Sequence, residues 1–192
     1  MTGRDYINYA KKAFYPVETY VTDADLSVFL NVARQKVIKY AKIGYKETVL
    51  SLLGQTPSYT LSENLLEVYS AILQWDSTIR YSLNPIPLGR YALSTSTFFA
   101  PPWKYTFLPP NKVYFYPCPD RSYDVYLYGV PFPLKTYDLN NLGEEDTDIT
   151  TTNYLEPVAI LIASQIARFD QNYELADYFE KLFIESMRVA KV

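Results

Sequence analysis

An acidic segment near residue 145 is the part of the sequence whose composition best suits a chemical site. Glu144, Glu145, Asp146 and Asp148 bring several carboxylates close together, as calcium loops and acid–base pairs do. Their spacing does not match the EF-hand pattern, and the glycine that such a loop requires at its turn is missing. Because acidic runs are mostly solvated loops, we expect no metal site here.

The other residue types give little basis for catalysis. The chain has no histidine, which is the commonest general base and a common metal ligand. Cys118 stands between two prolines, and nothing near it except Arg121 would favour a thiolate, so it is expected to be a turn residue. Lys104 stands beside tyrosines, without a recognisable nucleophile or orienting group. We therefore predict no catalytic, metal-binding or cofactor-binding residues, and a protein that is not an enzyme.

Composition points instead to recognition. The chain has 192 residues, 48% of them hydrophobic, and a net charge of -3, which suits one globular domain and gives no overall basic field for nucleic acid. Its 20 tyrosines are unusual, because protein interfaces are enriched in tyrosine. No apolar run is long enough to span a bilayer, and the N-terminus lacks a secretory pattern. We expect a soluble protein, made in a cytoplasm, that does not contact a membrane.

The stretch VTDADLSVFLNVARQKVIKYAK predicts an amphipathic helix that begins at Thr22 or Asp23. Several basic residues are assigned to its outward face or follow it. Such a face is usually only solvated, but it also suits an acidic partner or DNA phosphates. Weaker patterns predict short helices at 5–14 and 45–53. The candidate partner or DNA contacts are Arg34, Lys36, Lys39, Lys42 and Lys46.

Alternating apolar and aromatic residues predict short strands in the middle of the chain. Several prolines occur in the long segment around Trp103. Because proline has no amide hydrogen, this segment is not expected to form regular backbone hydrogen bonds along its length. The turn sequences PPN and PCPDRS are then expected to join the last strands into an antiparallel meander. The predicted strands cover 65–73, 104–108, 112–116 and 123–130.

The last predicted strand carries tyrosine or aliphatic side chains on both faces, so both faces are expected to be covered. One interpretation is an interface between subunits, and the other is a hairpin inside the subunit's own β-core. Trp75 and Trp103, with nearby tyrosines, leave a further alternative, a non-catalytic carbohydrate- or ligand-binding module. The candidate interface residues are Trp103, Tyr114, Tyr116, Tyr126 and Tyr128.

The final stretch predicts a helix, starting near Pro157, that is buried nearly all round, and a second helix after it. Val158, Ile162 and Ile166 are expected to pack against the first long helix. The fold class predicted is α+β, with N-terminal and C-terminal helices forming a helical bundle and a small antiparallel β-sheet or hairpin region inserted. We predict a single domain, 1–192, helical at 1–56 and 152–192 and rich in strands, proline and tyrosine at 57–151.

Four stretches resemble the head-to-tail adaptor proteins of tailed bacteriophages. The most specific is PPNKVYFYPCPDRSYDVYLYGVPFPL, with aromatic strands separated by Pro-x-Pro turns. The others are DADLSVFLNVARQKVI, NLLEVYSAILQWD and NYLEPVAILIASQIARFDQNYELADYFEKLF. The resemblance therefore rests on the order and pattern of elements along most of the chain.

That resemblance implies a structural role in the virion neck, after assembly in the cytoplasm of the host bacterium. Such adaptors form a homo-oligomeric ring of about twelve copies below the portal protein. The ring would join the DNA-filled capsid to tail or nozzle proteins, and double-stranded DNA would pass through it without sequence-specific contacts. In such a ring the segment 114–130, with the segment around Trp103, would be an intersubunit or tail-facing surface. Another neck or tail-tube ring protein of a phage is the related alternative.

Overall fold

The computed structural model describes residues 1–14, 21–93 and 98–190. Within these ranges the chain forms five α-helices and seven β-strands. The helices are α1 (Gly3–Ala13), α2 (Asp23–Ala41), α3 (Leu88–Leu93), α4 (Leu155–Phe169) and α5 (Tyr173–Ala190). The strands are β1 (Lys46–Leu52), β2 (Ser58–Thr60), β3 (Leu65–Gln74), β4 (Arg80–Pro85), β5 (Lys104–Leu108), β6 (Lys112–Tyr116) and β7 (Tyr123–Pro131).

The chain divides into two compact units. The first consists of Met1–Ile43 and Pro133–Val192 and contains α1, α2, α4 and α5. The second, Gly44–Phe132, contains the strands and α3. The expectation that the whole chain folds as one domain stays a prediction.

In the helical unit, α2 begins as its sequence predicts. The Asp25 amide donates to the Thr22 hydroxyl over 3.2 Å, and the Thr22 amide donates to the Asp25 carboxylate over 3.0 Å, which satisfies free amides at the helix start. Lys42 caps the end of the helix, and its positive φ of 56° places it in the left-handed region. In the described part of the chain, no helix has the length and apolar character needed to cross a membrane.

Helix α4 is the centre of the helical unit. It packs against α1, α2 and α5, and its residues from Pro157 to Ser164 are all buried, which confirms the prediction of a helix buried nearly all round. Ile162 and Leu30, which lie on α4 and α2, are both fully buried. The helix predicted at 5–14 is confirmed as α1, although its first residues lie slightly earlier.

The second unit is a mixed, nearly closed sheet with the strand order β1-β7-β3-β4-β5-β6-β2. Only β4 and β5 pair in parallel among these neighbours. Its buried core includes Leu73, Phe115, Val125 and Leu127. At Gly129 a Cβ atom would lie 2.6 Å from the Glu67 carbonyl oxygen, so the close approach of β7 to the irregular part of β3 requires glycine.

The predicted fold class is wrong, because the strands form this large sheet and not a small hairpin inserted into a helical bundle. The segment predicted as a helix at 45–53 is strand β1, whose residues alternate between more and less exposed. The strands predicted at 65–73, 104–108, 112–116 and 123–130 exist as β3, β5, β6 and β7. The predicted meander is wrong after β6, because β6 pairs with β5 and β2, whereas β7 lies between β1 and β3.

Candidate functional site

Arg34 lies in the interior of the helical unit and not on an outward basic face. Its Nε and Nη2 atoms donate to the two carboxylate oxygens of Asp146 over 2.7 Å each, and both side chains are fully buried. Nη2 also donates to Asp148 over 2.9 Å, and Nη1 donates to the Lys135 carbonyl over 2.7 Å. The guanidinium lies 4.7 Å from the centre of the Tyr137 ring. Arg34 therefore ties α2 to the loop that follows β7 and cannot contact a partner from this position.

Two carboxylates of the acidic segment, Asp146 and Asp148, therefore stabilise the fold by binding Arg34. Burial opposes ionisation of Asp146, but hydrogen bonds from Arg34 and from the Ile149 and Asp148 amides outweigh it and lower the pKa of this carboxyl. Sequence analysis missed this pair, although one signal for it was present. Arg34 follows Leu30 by four residues and precedes Val37 by three, which places it on the apolar side of the helix.

The predicted lysines of α2 remain at the surface. Lys36 donates to Glu180 of α5 over 3.1 Å, and the side chains of Lys39 and Lys42 are exposed. These residues recur every three positions near the end of α2, so they lie on neighbouring turns. Lys46 belongs to the other compact unit, where it forms an ion pair with Glu63. Lys36, Lys39 and Lys42 are therefore surface residues at one end of α2, whereas Arg34 is buried and Lys46 belongs to the other compact unit.

The outward side of β1, β7 and β3 carries a partly exposed apolar surface. Tyr126 of β7 lies opposite Val49 of β1 and Ile72 of β3, and directly opposed residues share a face. Val49 is 54% exposed, and Tyr126 and Ile72 are half-buried. We call these three residues, with Tyr128, the sheet face. Polar residues surround them on adjacent positions: Glu47, Ser51, Asp124, Gln74 and Arg80.

Polar contacts hold the two tyrosines of the sheet face in place. The Tyr126 hydroxyl donates to Gln74 over 2.8 Å, and the Arg80 guanidinium lies 4.7 Å from its ring centre. The Tyr128 ring stacks on Tyr45 at 6.3 Å, and its hydroxyl donates to Glu47. The bond to Glu47 is the main cause of a raised pKa for the Tyr128 hydroxyl. The rings are therefore oriented before any partner arrives.

The other predicted interface residues lie on a different part of the sheet, since β3, β4 and β5 separate β7 from β6. Trp103 is 44% exposed and contacts the Tyr116 ring at 5.9 Å between ring centres. Tyr114 instead packs against the buried Tyr91 at 5.1 Å. The structure thus brings Trp103 and Tyr116 together and does not join them with Tyr126 and Tyr128 in one hairpin.

Trp103 also borders an open apolar groove of about 320 Å³. Trp75 and Tyr81 form another part of it, with their ring centres 5.8 Å apart. Both tryptophans singled out in the sequence thus line the same groove, although they are far apart along the chain. We call this site the aromatic groove; its main lining residues are Trp75, Tyr81, Leu83, Pro101, Pro102 and Trp103.

These surfaces suit recognition more than chemistry. Burial raises the pKa of the Cys118 thiol, which disfavours a reactive thiolate. Within the described ranges, no group of three or more histidine, cysteine, aspartate or glutamate side chains could hold a metal ion. Exposed aromatic side chains and a groove lined by aromatic residues are typical of surfaces that bind other proteins. Surface lysines are typical of surfaces that bind a polyanion such as DNA.

Comparison with known proteins adds one match. A family model described as SU10 adaptor protein matches residues 3–191 of the chain. No curated protein matches it.

Proposed function

The chain belongs to the SU10 adaptor protein family, a family of phage head-to-tail adaptors, and from this premise we propose that it forms a ring below the portal. The ring would contain about twelve copies, as in the adaptors that the chain resembles, and heterologous contacts between identical subunits close into such a ring when the rotation fits. One side would meet the portal protein and the other the tail or nozzle proteins. The chain would then be a component of the virion neck.

The observation that carries the ring proposal is the sheet face. Val49 is more than half exposed beside the half-buried Tyr126 and Ile72, and polar side chains surround this apolar centre. An apolar centre with a polar rim is the usual anatomy of a protein interface. Because the tyrosine rings are already fixed by contacts within the chain, little conformational freedom would be lost on binding.

The lysines of α2 support a second part of the proposal, that the ring lets DNA pass through its centre. Lys36, Lys39 and Lys42 are exposed on one end of a long helix, although the whole chain is acidic. A local cationic patch attracts phosphates of any sequence and is screened by salt. Glu180 neutralises part of the charge of Lys36, so the contact would be weak enough for DNA to slide past. The acidic surface of a neighbouring protein is the alternative partner for the same patch.

We also propose that the protein acts without catalysis. The chain lacks histidine, and the lining of the aromatic groove contains no carboxylate or lysine that could act as a general base. It would contribute to the particle only by binding its neighbours through these surfaces.

Deletion of the gene for this chain from its phage tests the proposed function. Adaptor function predicts that particles made without the chain accumulate as heads and tails that do not join, and that supplying the wild-type chain restores joined particles. Electron microscopy of negatively stained lysates would distinguish these species. Normal, infectious, tailed particles without the chain would contradict the proposal.

A further inference from the structure

The chain has two tryptophans, and both line the aromatic groove. Trp103 is 44% exposed and Tyr81 is 42% exposed, whereas Trp75 is half-buried and contacts the Tyr81 ring. The rings of Pro101 and Pro102 line another part of the groove. The groove therefore offers two accessible aromatic rings within a largely apolar lining.

Contacts within the sheet hold the lining residues in place. The Trp103 amide donates to the Tyr116 carbonyl over 3.1 Å, and the Trp103 carbonyl accepts from the Asn84 amide over 2.9 Å. The Trp75 ring also contacts Tyr123, with 5.8 Å between the ring centres. A partner would therefore meet a surface that is largely preformed, which limits the conformational entropy lost on binding.

The polar groups of the groove are uncharged, and its two indoles have unused hydrogen-bond donors. The lining consists of tryptophan, tyrosine, serine, leucine and proline, so its side chains include no carboxylate, lysine or arginine. Within the described ranges, neither indole N–H group donates to another residue of the chain. An indole N–H is a donor only, and it usually finds an acceptor when it is buried. A ligand for this groove should therefore be apolar, uncharged and rich in hydrogen-bond acceptors.

We propose that the aromatic groove binds an extended, proline-rich segment of another protein of the virion. A polyproline II helix has no internal hydrogen bonds, so its carbonyls are free to accept from indole N–H groups. Proline itself has no N–H group that burial would leave unpaired. Grooves lined by aromatic side chains are a recurrent binding site for such segments.

A different protein is the source of the segment in this proposal. The prolines of this chain that the structure describes already belong to its own ordered fold, and Pro101 and Pro102 line the groove itself. That the partner is a virion protein rests on the proposed adaptor function. The chemistry of the segment rests only on the groove.

Tryptophan fluorescence tests the contact in the full chain, because both of its tryptophans lie in the groove. Decaproline is the probe. Its titration should shift the tryptophan emission to shorter wavelength, since the rings lose contact with water, and the shift should saturate with a Kd of about 1 mM or tighter. A decapeptide of alternating glycine and serine, which forms a flexible coil without proline rings, should give no saturable shift.

Trp103→Phe keeps an aromatic ring and removes one indole N–H, while Trp75 still reports binding. The Kd for decaproline should rise about three- to tenfold, which is the effect of losing one hydrogen bond. Tyr173→Phe is the matched control, because it removes a polar group from an exposed ring of α5, and its Kd should equal that of the wild type. Circular dichroism would verify that both variants are folded.

Three results would overturn the proposal: no saturable shift with decaproline, an equal shift with the glycine–serine peptide, or an unchanged Kd in Trp103→Phe. A shift that appears when the chain alone is concentrated, and that decaproline does not reverse, would identify a second copy as the occupant and also reject the proposal. The adaptor function would stand in each case, because it is judged by the joining of heads to tails.

Discussion

The Nη2 atom of Arg34 lies 2.7 Å from Oδ1 of Asp146, and both side chains are fully buried. The two residues are 112 positions apart in the sequence. The same guanidinium also binds Asp148, which accepts a hydrogen bond from the Leu134 amide, so Arg34 helps to hold the backbone at Leu134. The buried Arg34 thus stabilises the backbone next to an exposed leucine side chain.

Breaking this pair should destabilise the protein strongly. Arg34→Met leaves Asp146 buried without its partner, and the expected loss in the free energy of unfolding is about 3 to 5 kcal/mol. Urea unfolding measures it. Lys36→Met is the control, because it removes an exposed ion pair of the same helix and should cost less than about 1 kcal/mol. Equal losses for the two variants would show that Arg34 has no special role.

Stability should also depend on pH through Asp146. Because the pKa of this carboxyl is lower in the folded chain than its ordinary value of about 3.9, the folded state gains stability above that value. The gain is lost as the pH falls toward the folded pKa. Urea unfolding between about pH 3 and 6 should therefore show a smaller decline for Asp146→Asn than for the wild type. Parallel declines would contradict this assignment.

The sheet face should be needed for assembly and not for folding. Val49→Asp places a charge on an exposed position, so the chain should remain folded by circular dichroism but fail to form rings by sedimentation. Tyr126→Asp should do the same if that face is an interface. Val189→Asp, at a 76% exposed position outside the face, is the control and should assemble normally. Unfolding of both sheet-face variants would place those residues in the core.

Reversing charge on α2 should weaken assembly or genome retention. Lys36→Glu with Lys39→Glu replaces two cations by anions, and the resulting repulsion from DNA or from an acidic neighbour should diminish as salt is raised. The yield of DNA-filled, infectious particles at several salt concentrations measures the effect. Lys181→Glu, an exposed change on α5, is the control. Unchanged yield in the double variant would make this face an ordinary solvated surface.

Local patterns predicted α1, α2, α4 and α5 and four of the strands, but not α3, β2 or β4, because capping and periodicity are clear only in the longer segments. The Thr22–Asp25 capping box and the buried α4 are examples. Strand β1 was mistaken for a helix, since KETVLSL contains good helix formers and is short. Its strand conformation depends on pairing with β7, which lies some seventy residues later and is not visible in the local sequence.

Pairing and burial across long separations explain the remaining errors. The PCPDRS segment indicates a turn after β6, but turn residues do not specify which strand becomes the neighbour of β7. The charge of Arg34 suggested an outward position because Asp146, its partner, is remote in sequence. The aromatic groove likewise combines Trp75 with Trp103, which only the folded sheet brings to one site.

Cryo-electron microscopy of the neck of the intact virion tests the central claim most directly. The adaptor account predicts a ring of copies of this chain between the portal and the tail, with the sheet face buried in a protein contact and the α2 lysines facing the DNA channel. Location of the chain elsewhere in the particle, or its absence from the virion, would contradict that account.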